Sequence, residues 1–137
     1  MEVAYNHRLF ARIINYTQEF EGKSTFFSND DDFIQLAIHQ PEQNQNFIPH
    51  YHLDSERTVT KTQEVLVILS GKMTVSFYNE LGDLLGDQDL IGGQAIVLLD
   101  GTHGFKVHSK NCRFLEIKNG PYLGAELDRK RIEQSND

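Results

Sequence analysis

Residues 64–78, EVLVILSGKMTVSFY, restrict the fold more than any other stretch of this chain. Two runs rich in β-branched and aromatic residues flank Ser70-Gly71-Lys72, a pattern typical of a β-hairpin. No segment before residue 125 keeps a helical period, and turn residues divide the chain into about nine or ten short strand-like runs. The sequence therefore predicts an all-β sandwich or barrel.

Two other segments refine this expectation. Residues 95–99, AIVLL, show no alternation of apolar and polar side chains, which predicts a strand covered on both faces. Residues 125–137 form a polar tail in which AELDRKRIEQ favours a short helix. A chain of 137 residues is expected to form one domain, with the barrel core over about residues 33–118.

The charge balance argues against one class of partner. The formal net charge is −7, and an acidic domain repels the phosphate backbone of DNA and RNA. The short basic run Arg129-Lys130-Arg131 is flanked by Asp128 and Glu133 and is interpreted as a solvated tail. No nucleic-acid partner is expected.

The start of the chain and its cysteine content bear on location. A basic segment followed by a continuous apolar run is missing at the start, so we expect no secretory signal. No apolar run approaches the roughly 20 residues of a membrane span. The single cysteine, Cys112, excludes an intrachain disulfide and is expected to be a small core residue. These features favour a cytoplasmic protein with no membrane partner.

Three histidines and one glutamate form the candidate site. His50 and His52 are one residue apart and would point to the same face of a strand. Glu64 shares a strand face with two apolar residues, so it is expected to face the core, where a lone carboxylate needs a charge partner or a metal. His103 lies in a glycine-flanked turn. Three imidazoles and one carboxylate suit a divalent transition metal such as Zn, Mn, Fe, Ni or Cu.

Structural alternatives stay open for each of these residues. The histidine pair is also compatible with an ordinary exposed strand. Glu64 is also compatible with an ion pair to Arg57 or Lys61 at the end of a strand. His103 is also compatible with a turn histidine that packs or hydrogen-bonds locally.

The spacing of these residues resembles the motifs of the cupin family. The first cupin motif is an H-x-H pair, then a glutamate, six residues and a glycine, and His50-Tyr51-His52, Glu64 and Gly71 match it. The second motif leads from a glycine to a turn that carries a histidine, and Gly93 and His103 match it in outline. The likeness extends over about residues 46–118, most of the chain.

The resemblance implies a jelly-roll β-barrel, also called a double-stranded β-helix. It also implies that one divalent transition metal ion is bound by His50, His52, Glu64 and His103. The chain departs from the family at four points. Residues 53–63 lengthen the gap between the first motif's histidines and its glutamate, and Leu99 stands where the second motif usually has proline. One residue instead of two separates Gly101 from His103, and Val107 stands where the motif usually has asparagine.

A narrower resemblance concerns function. The segments TQEVLVILSGKMTVSFYNELGDLL, LLDGTHGF and EIKNGPYLG are similar to those of small bacterial cupins associated with surface-polysaccharide and nucleotide-sugar pathways. This implies a saccharide or a related polar metabolite as ligand, and a metal site suited to isomerisation, hydrolysis or dioxygenation. Two alternatives stay open: a metal-free saccharide-binding module, and a metal-free sugar isomerase or epimerase with His50 or His103 as general base.

Three further residues are candidates to bind the ligand. Arg57, Lys118 and Tyr122 are suited to an anionic or sugar ligand, and arginine binds carboxylate or phosphate with two hydrogen bonds. The loop at residues 53–63 would close over the ligand with Arg57 as a contact. Small cupins commonly pair, so we expect a homodimer, with residues 8–20 as a candidate for strand exchange between subunits.

Overall fold

A computed structural model describes residues 1–132 of the chain. The alternating, turn-rich sequence forms ten strands in this range, followed by one short helix. The strands are β1 (Glu2–Tyr5), β2 (Arg8–Asn15), β3 (Ser24–Phe26), β4 (Ala37–His39), β5 (Glu64–Ser70), β6 (Lys72–Tyr78), β7 (Leu84–Ile91), β8 (Gln94–Leu98), β9 (Thr102–Val107) and β10 (Arg113–Lys118), and the helix is α1 (Ala125–Asp128).

The strands form three antiparallel sheets. Five strands pair in the order β1-β2-β8-β5-β10, three in the order β7-β6-β9, and two as β3-β4. β10 and β9 are the outermost strands of the two larger sheets, and within residues 1–132 none of the sheets is closed. The all-β class predicted from the sequence is confirmed.

The main core lies between the five-stranded and the three-stranded sheets. Leu66 and Ile68 of β5 face Val75 and Phe77 of β6, and all four side chains are fully buried. Alternate residues of each strand supply this face, as the twofold period of a strand requires. Each such side chain contributes about 1.5–3 kcal/mol when it is removed from water, so this layer supplies much of the driving force for folding.

A second apolar layer covers the outer face of the five-stranded sheet. Ile96 of β8 joins the main core, whereas its neighbour Val97 packs on the outer face under Phe27 and Ile38. The segment that carries β3 and β4 provides this cover. The prediction that residues 95–99 are covered on both faces is confirmed, and it explains why this run lacks alternation.

The hairpin predicted at Ser70-Gly71-Lys72 is wrong. β5 pairs with β10 and β8, and β6 pairs with β7 and β9, so the chain passes from one sheet to the other at Gly71. Gly71 has a φ of +84°, and a Cβ there would lie 2.6 Å from the Cα of Cys112. Glycine is therefore required at this corner for two reasons, its backbone conformation and its close contact with Cys112.

The N-terminal segment belongs to the five-stranded sheet. β2 lies between β1 and β8, and Val3 and Phe10 are buried in the main core. The predicted core range of 33–118 leaves these strands out. Of residues 8–20, the predicted candidate for strand exchange between subunits, strand β2 pairs with β1 on one side and with β8 on the other within its own chain.

Two other segments differ from expectation. Residues 33–40, FIQLAIHQ, have a strand-like pattern in the sequence, but only Ala37–His39 is a strand, and residues 40–63 contain neither helix nor strand. The helix predicted in the tail covers Ala125–Asp128 alone, and residues 133–137 lie outside the described residues.

Among residues 1–132, no helix has the length and apolar character needed to cross a membrane.

Candidate functional site

The site is built where the two larger sheets end. Glu64 is the first residue of β5 and lies directly opposite Lys118, the last residue of β10. His103, on β9 of the three-stranded sheet, lies opposite the buried Phe77. Since Glu64 continues the inward-facing row of Leu66 and Ile68, its carboxylate meets His103 across the gap between the sheets.

Glu64 has two basic neighbours. Its Oε1 accepts a hydrogen bond from Lys118 Nζ at 3.0 Å, and its Oε2 lies 3.7 Å from His103 Nε2. Lys118 Nζ also lies 3.2 Å from Glu116 Oε1. A separation of 3.7 Å is too long for a hydrogen bond, so Glu64 and His103 are an electrostatic pair with room between them.

Opposing effects set the charge state of Glu64. Partial burial raises the pKa of its carboxyl group, because the side chain is only 13% exposed, but His103 and Lys118 together hold that pKa below its usual range. Burial also lowers the pKa of Lys118, while Glu64 and Glu116 raise it further than burial lowers it. Glu64 is therefore anionic and Lys118 cationic at neutral pH.

His103 is held by stacking rather than by hydrogen bonds. Its ring stacks on Phe105, with centroids 6.1 Å apart and planes inclined by 24°. Its Nδ1 atom is buried without a hydrogen-bond partner, the one such side-chain atom among residues 1–132. Native structures leave few buried polar atoms unpaired, and these often lie at functional positions.

These side chains line an open cleft of about 570 Å³. Phe105, Tyr78 and Ile132 give it apolar and aromatic surface, and Thr62 adds a hydroxyl group. The charged or ionisable residues that line it are Glu64, His103, Glu116, Lys118, Asp128, Arg129, Lys130 and Arg131. The volume falls within the range of small-molecule sites.

Gln63 fixes the chain immediately before Glu64. It is buried, and its backbone N–H donates to Asn119 Oδ1 at 2.6 Å. Its Oε1 accepts from the Ile34 N–H at 3.0 Å, and its Nε2 donates to the Leu99 carbonyl at 3.4 Å. Three separate parts of the chain therefore hold the residue that precedes the site.

Asp100 fixes the turn just before β9, and His103 lies on that strand and not in the turn predicted from the sequence. Arg8 donates to both of its carboxylate oxygens, at 2.8 and 2.9 Å, and Lys61 Nζ lies 3.0 Å away. The hydrogen bond from Arg8, aided by that from Lys61 and against the effect of partial burial, holds the pKa of Asp100 well below its usual range. Lys61 therefore pairs with Asp100, whereas the partner of Glu64 is Lys118.

The remaining predicted site residues lie elsewhere. His50 and His52 are exposed in the segment 40–63, with ring centroids 5.4 Å apart, and His50 Nδ1 lies 3.0 Å from the Ile48 carbonyl. Arg57 is exposed in the same segment, beside His52. Tyr122 is 70% exposed. The structure thus unites Glu64, His103 and Lys118 and leaves the other four apart from them.

Only part of the predicted metal site is assembled. Over residues 1–132, no three His, Cys, Asp or Glu side chains are grouped so as to hold an ion. Glu64 and His103 alone fit a shared ion, since 3.7 Å is close to the separation of two atoms that each lie about 2.1 Å from a tetrahedral ion. The exposed histidine pair would have to move to join them.

Several cleft residues were not singled out from the sequence. Phe105 could have been found from strand parity, because it shares an inward-facing row with His103. The same parity predicts that Glu116 shares a strand face with Lys118 and can pair with it, and the two side chains lie 3.2 Å apart. Residues 129–131 gave no such signal, because a charged run at the end of a chain is usually solvated.

Comparison with known proteins finds no counterpart: no family model, no curated protein and no solved structure is significantly similar to this chain. The geometry of the cleft therefore carries the functional interpretation.

Proposed function

We propose that this chain is a cupin-type jelly-roll protein that binds a small polar, saccharide-like metabolite in the cleft described above. One observation carries the proposal: Glu64, His103 and Lys118, from three strands and both larger sheets, converge on one open cleft. The two antiparallel sheets around a shared core and the matches to both cupin motifs support the family.

The chemistry of the cleft suits a sugar. The ionised Glu64 accepts hydrogen bonds from hydroxyl groups, and Lys118 donates them. Phe105 offers an aromatic face at the wall of the same cleft, and apolar surface with a few convergent polar groups is the usual make-up of a small-molecule site. Buried polar partners of this kind reject ligands that lack the matching hydroxyl groups.

The test is a ligand screen by NMR chemical-shift changes, with monosaccharides and sugar derivatives as probes. We expect binding to the wild type, with weakened binding in Glu64→Gln and Lys118→Ala. Lys72→Ala is the matched control, since Lys72 pairs with Asp89 away from the cleft. Equal binding by all three variants, or shifts confined to other surfaces, would reject this cleft as the site.

A second candidate is the metal-dependent form of the same protein. The 3.7 Å gap between Glu64 Oε2 and His103 Nε2 favours it, as does the adjacency of the His50 and His52 rings. The ion would be Zn, Mn, Fe, Ni or Cu, and these four residues would hold it once the segment 40–63 folds over the cleft. A bound ion would polarise a carbonyl group or lower the pKa of a bound water.

Metal content tests this second candidate directly. The untagged protein, purified without added metal or chelator, is compared by inductively coupled plasma mass spectrometry with His50→Ala/His103→Ala and with the control His39→Ala. We expect one equivalent in the wild type and in the control and none in the double variant. If added Zn, Mn, Fe, Ni and Cu all fail to bind, the metal-dependent form is rejected.

In that event a metal-free isomerase or epimerase becomes the enzymatic proposal. Glu64, beside His103, would stabilise the imidazolium that forms when His103 takes a proton from the sugar. Turnover of a bound sugar in the presence of chelator, lost in His103→Ala, would support it. Binding without turnover would leave a saccharide-binding module.

We also propose a cytoplasmic homodimer. The single cysteine fits a reducing compartment. Strand β10 is an outermost strand, and Leu115 and Ile117 on its outer face are 52% and 46% exposed. An exposed apolar edge is a common site of pairing between chains, so β10 is the surface that a second copy would cover.

A further inference from the structure

The basic run in the tail lies against the proposed binding cleft. Arg129, Lys130 and Arg131 follow helix α1 and line the same cleft as Glu64 and His103. All three residues are exposed. No carboxylate within residues 1–132 lies at ion-pair distance from any of them. The run expected to be a solvated tail therefore adds unpaired positive charge to the wall of a cleft.

The tail is tied to the body of the protein near this cleft. Thr62 Oγ1 donates to Asp128 Oδ1 at 3.1 Å, which joins the residue before the basic run to the chain just before β5. Thr62 and Asp128 both line the cleft. The contact sets where the three cations start, so their position at the rim follows from the fold.

Charge is distributed unevenly within the cleft. Lys118, at the inner end, is already paired with Glu64 and Glu116, so it is balanced before any ligand arrives. None of the cations of residues 129–131 lies at ion-pair distance from a carboxylate of the described residues. The cleft thus has four cations, Lys118 and residues 129–131, against the three carboxylates of Glu64, Glu116 and Asp128. In a chain whose formal net charge is −7, this local positive excess attracts anions.

We infer that the ligand is an anionic saccharide, a sugar phosphate in chemical class, whose phosphate binds Arg129, Lys130 and Arg131 at the rim. Its hydroxyl-bearing ring would lie inward, against Glu64 and Phe105. An anionic group placed inward would meet the carboxylates of Glu64 and Glu116, whereas the rim offers guanidinium groups that bind phosphate with two hydrogen bonds. This inference rests on the proposed function and adds the substrate class.

Isothermal titration calorimetry on the full chain tests the inference. The probes are glucose, galactose and mannose, the 1-phosphate of each, and inorganic phosphate. The cleft variant is Arg129→Ala/Lys130→Ala/Arg131→Ala. The matched control is Lys106→Ala/Lys110→Ala/Arg113→Ala, which removes the same charge from exposed residues that do not line the cleft. A third variant, Arg129→Lys/Arg131→Lys, keeps the charge of the run.

We expect at least one sugar 1-phosphate to bind the wild type about tenfold or more tightly than its parent sugar and than inorganic phosphate. The cleft variant should lose about tenfold or more of that affinity, while the control stays within about twofold and the lysine variant keeps most of the binding. Higher salt should weaken binding, because exposed charges are screened.

Different outcomes would overturn different claims. Equal affinity for a sugar and its phosphate, or wild-type affinity in the cleft variant, would overturn this inference while leaving saccharide binding in place. Inorganic phosphate binding as tightly as the sugar phosphates would remove the role of the sugar ring. Absence of binding by every probe would overturn the inference and the proposed function together.

Discussion

Glu64 Oε2 and His103 Nε2 lie 3.7 Å apart although the two residues belong to different sheets. Their separation is set by the packing of Leu66 and Ile68 on Val75 and Phe77, which fills the space between those sheets. The geometry of the cleft is thus a direct product of the core. A change in core volume should therefore change the distance between Glu64 and His103 more than it changes the backbone of either strand.

The first prediction concerns the carboxylate of Glu64. Because the fold lowers its pKa, its ionisation stabilises the native state above the usual glutamate range, and this stabilisation is lost as pH falls through the folded pKa. We expect Glu64→Gln to lower the free energy of unfolding by about 1 kcal/mol at pH 7. The difference from wild type should vanish under acidic conditions. Urea unfolding across a pH series measures both effects.

A control for this prediction is Glu80→Gln. The Glu80 side chain is 92% exposed and 3.9 Å from Arg8, so its loss should change stability by less than about 0.5 kcal/mol. If Glu64→Gln were as stable as wild type at pH 7, the fold would not be stabilising the ionised carboxylate.

The second prediction compares two aspartates. Asp100→Asn should cost about 1–3 kcal/mol, because it weakens the contacts to Arg8 and Lys61 that hold the turn before β9. Asp89→Asn weakens an exposed ion pair with Lys72 and should cost clearly less than Asp100→Asn, because exposed ion pairs contribute little to stability. Since the pKa of Asp100 lies well below its usual range, its contribution should persist to lower pH. Equal losses in the two variants would contradict this ranking.

The third prediction separates backbone strain from a steric clash. Gly22 and Gly71 have similar positive φ values, +79° and +84°, but a Cβ at Gly22 would meet nothing within 4 Å, whereas one at Gly71 would meet the backbone of Cys112. We expect Gly22→Ala to cost about 1 kcal/mol from strain and Gly71→Ala about 3 kcal/mol or more. Chemical denaturation measures both, and similar losses would show that Cys112 moves aside without cost.

The fourth prediction concerns the edge of the five-stranded sheet. Sedimentation at micromolar concentration should give a dimer for the wild type and a monomer for Leu115→Lys/Ile117→Lys, because lysine on an edge strand opposes pairing. Leu127→Lys, on the exposed helix α1, should stay dimeric. A monomeric wild type would end the homodimer proposal, and a dimeric double variant would place the interface elsewhere.

Local pattern was enough to predict the buried strands β5, β6 and β8 but not their partners. The alternation around Leu66 and the unbroken run at residues 95–99 indicate which faces are buried, because burial can be predicted from the residues of the strand itself. Whether the chain reverses or crosses at Gly71 depends on Cys112, which packs against that corner from a distant segment. A hairpin and a crossing between sheets have the same turn residues. The sequence therefore favoured a hairpin, whereas in the structure the chain crosses to the other sheet.

The position of some candidate site residues was likewise predictable from local pattern, and that of others was not. Glu64 and Lys118 end neighbouring strands, and their contact follows from strand parity and pairing. His50 and His52 were expected on a strand, but the polar, exposed segment 40–63 forms no strand. Arg129 was interpreted as solvated, because nothing local reveals that the Thr62–Asp128 contact brings the tail to the cleft.

The three-way anchoring of Gln63 has a consequence for how such a protein diversifies. Because Gln63 is held by Ile34, Leu99 and Asn119, the exposed stretch 41–60 can change in length or composition without passing that change on to Glu64. The entropic cost of closing a loop rises only slowly with its length, so insertions in this stretch should lower the stability of the fold only slightly. The outer segment can thus be exchanged while the end of the sheets that carries Glu64 is inherited intact.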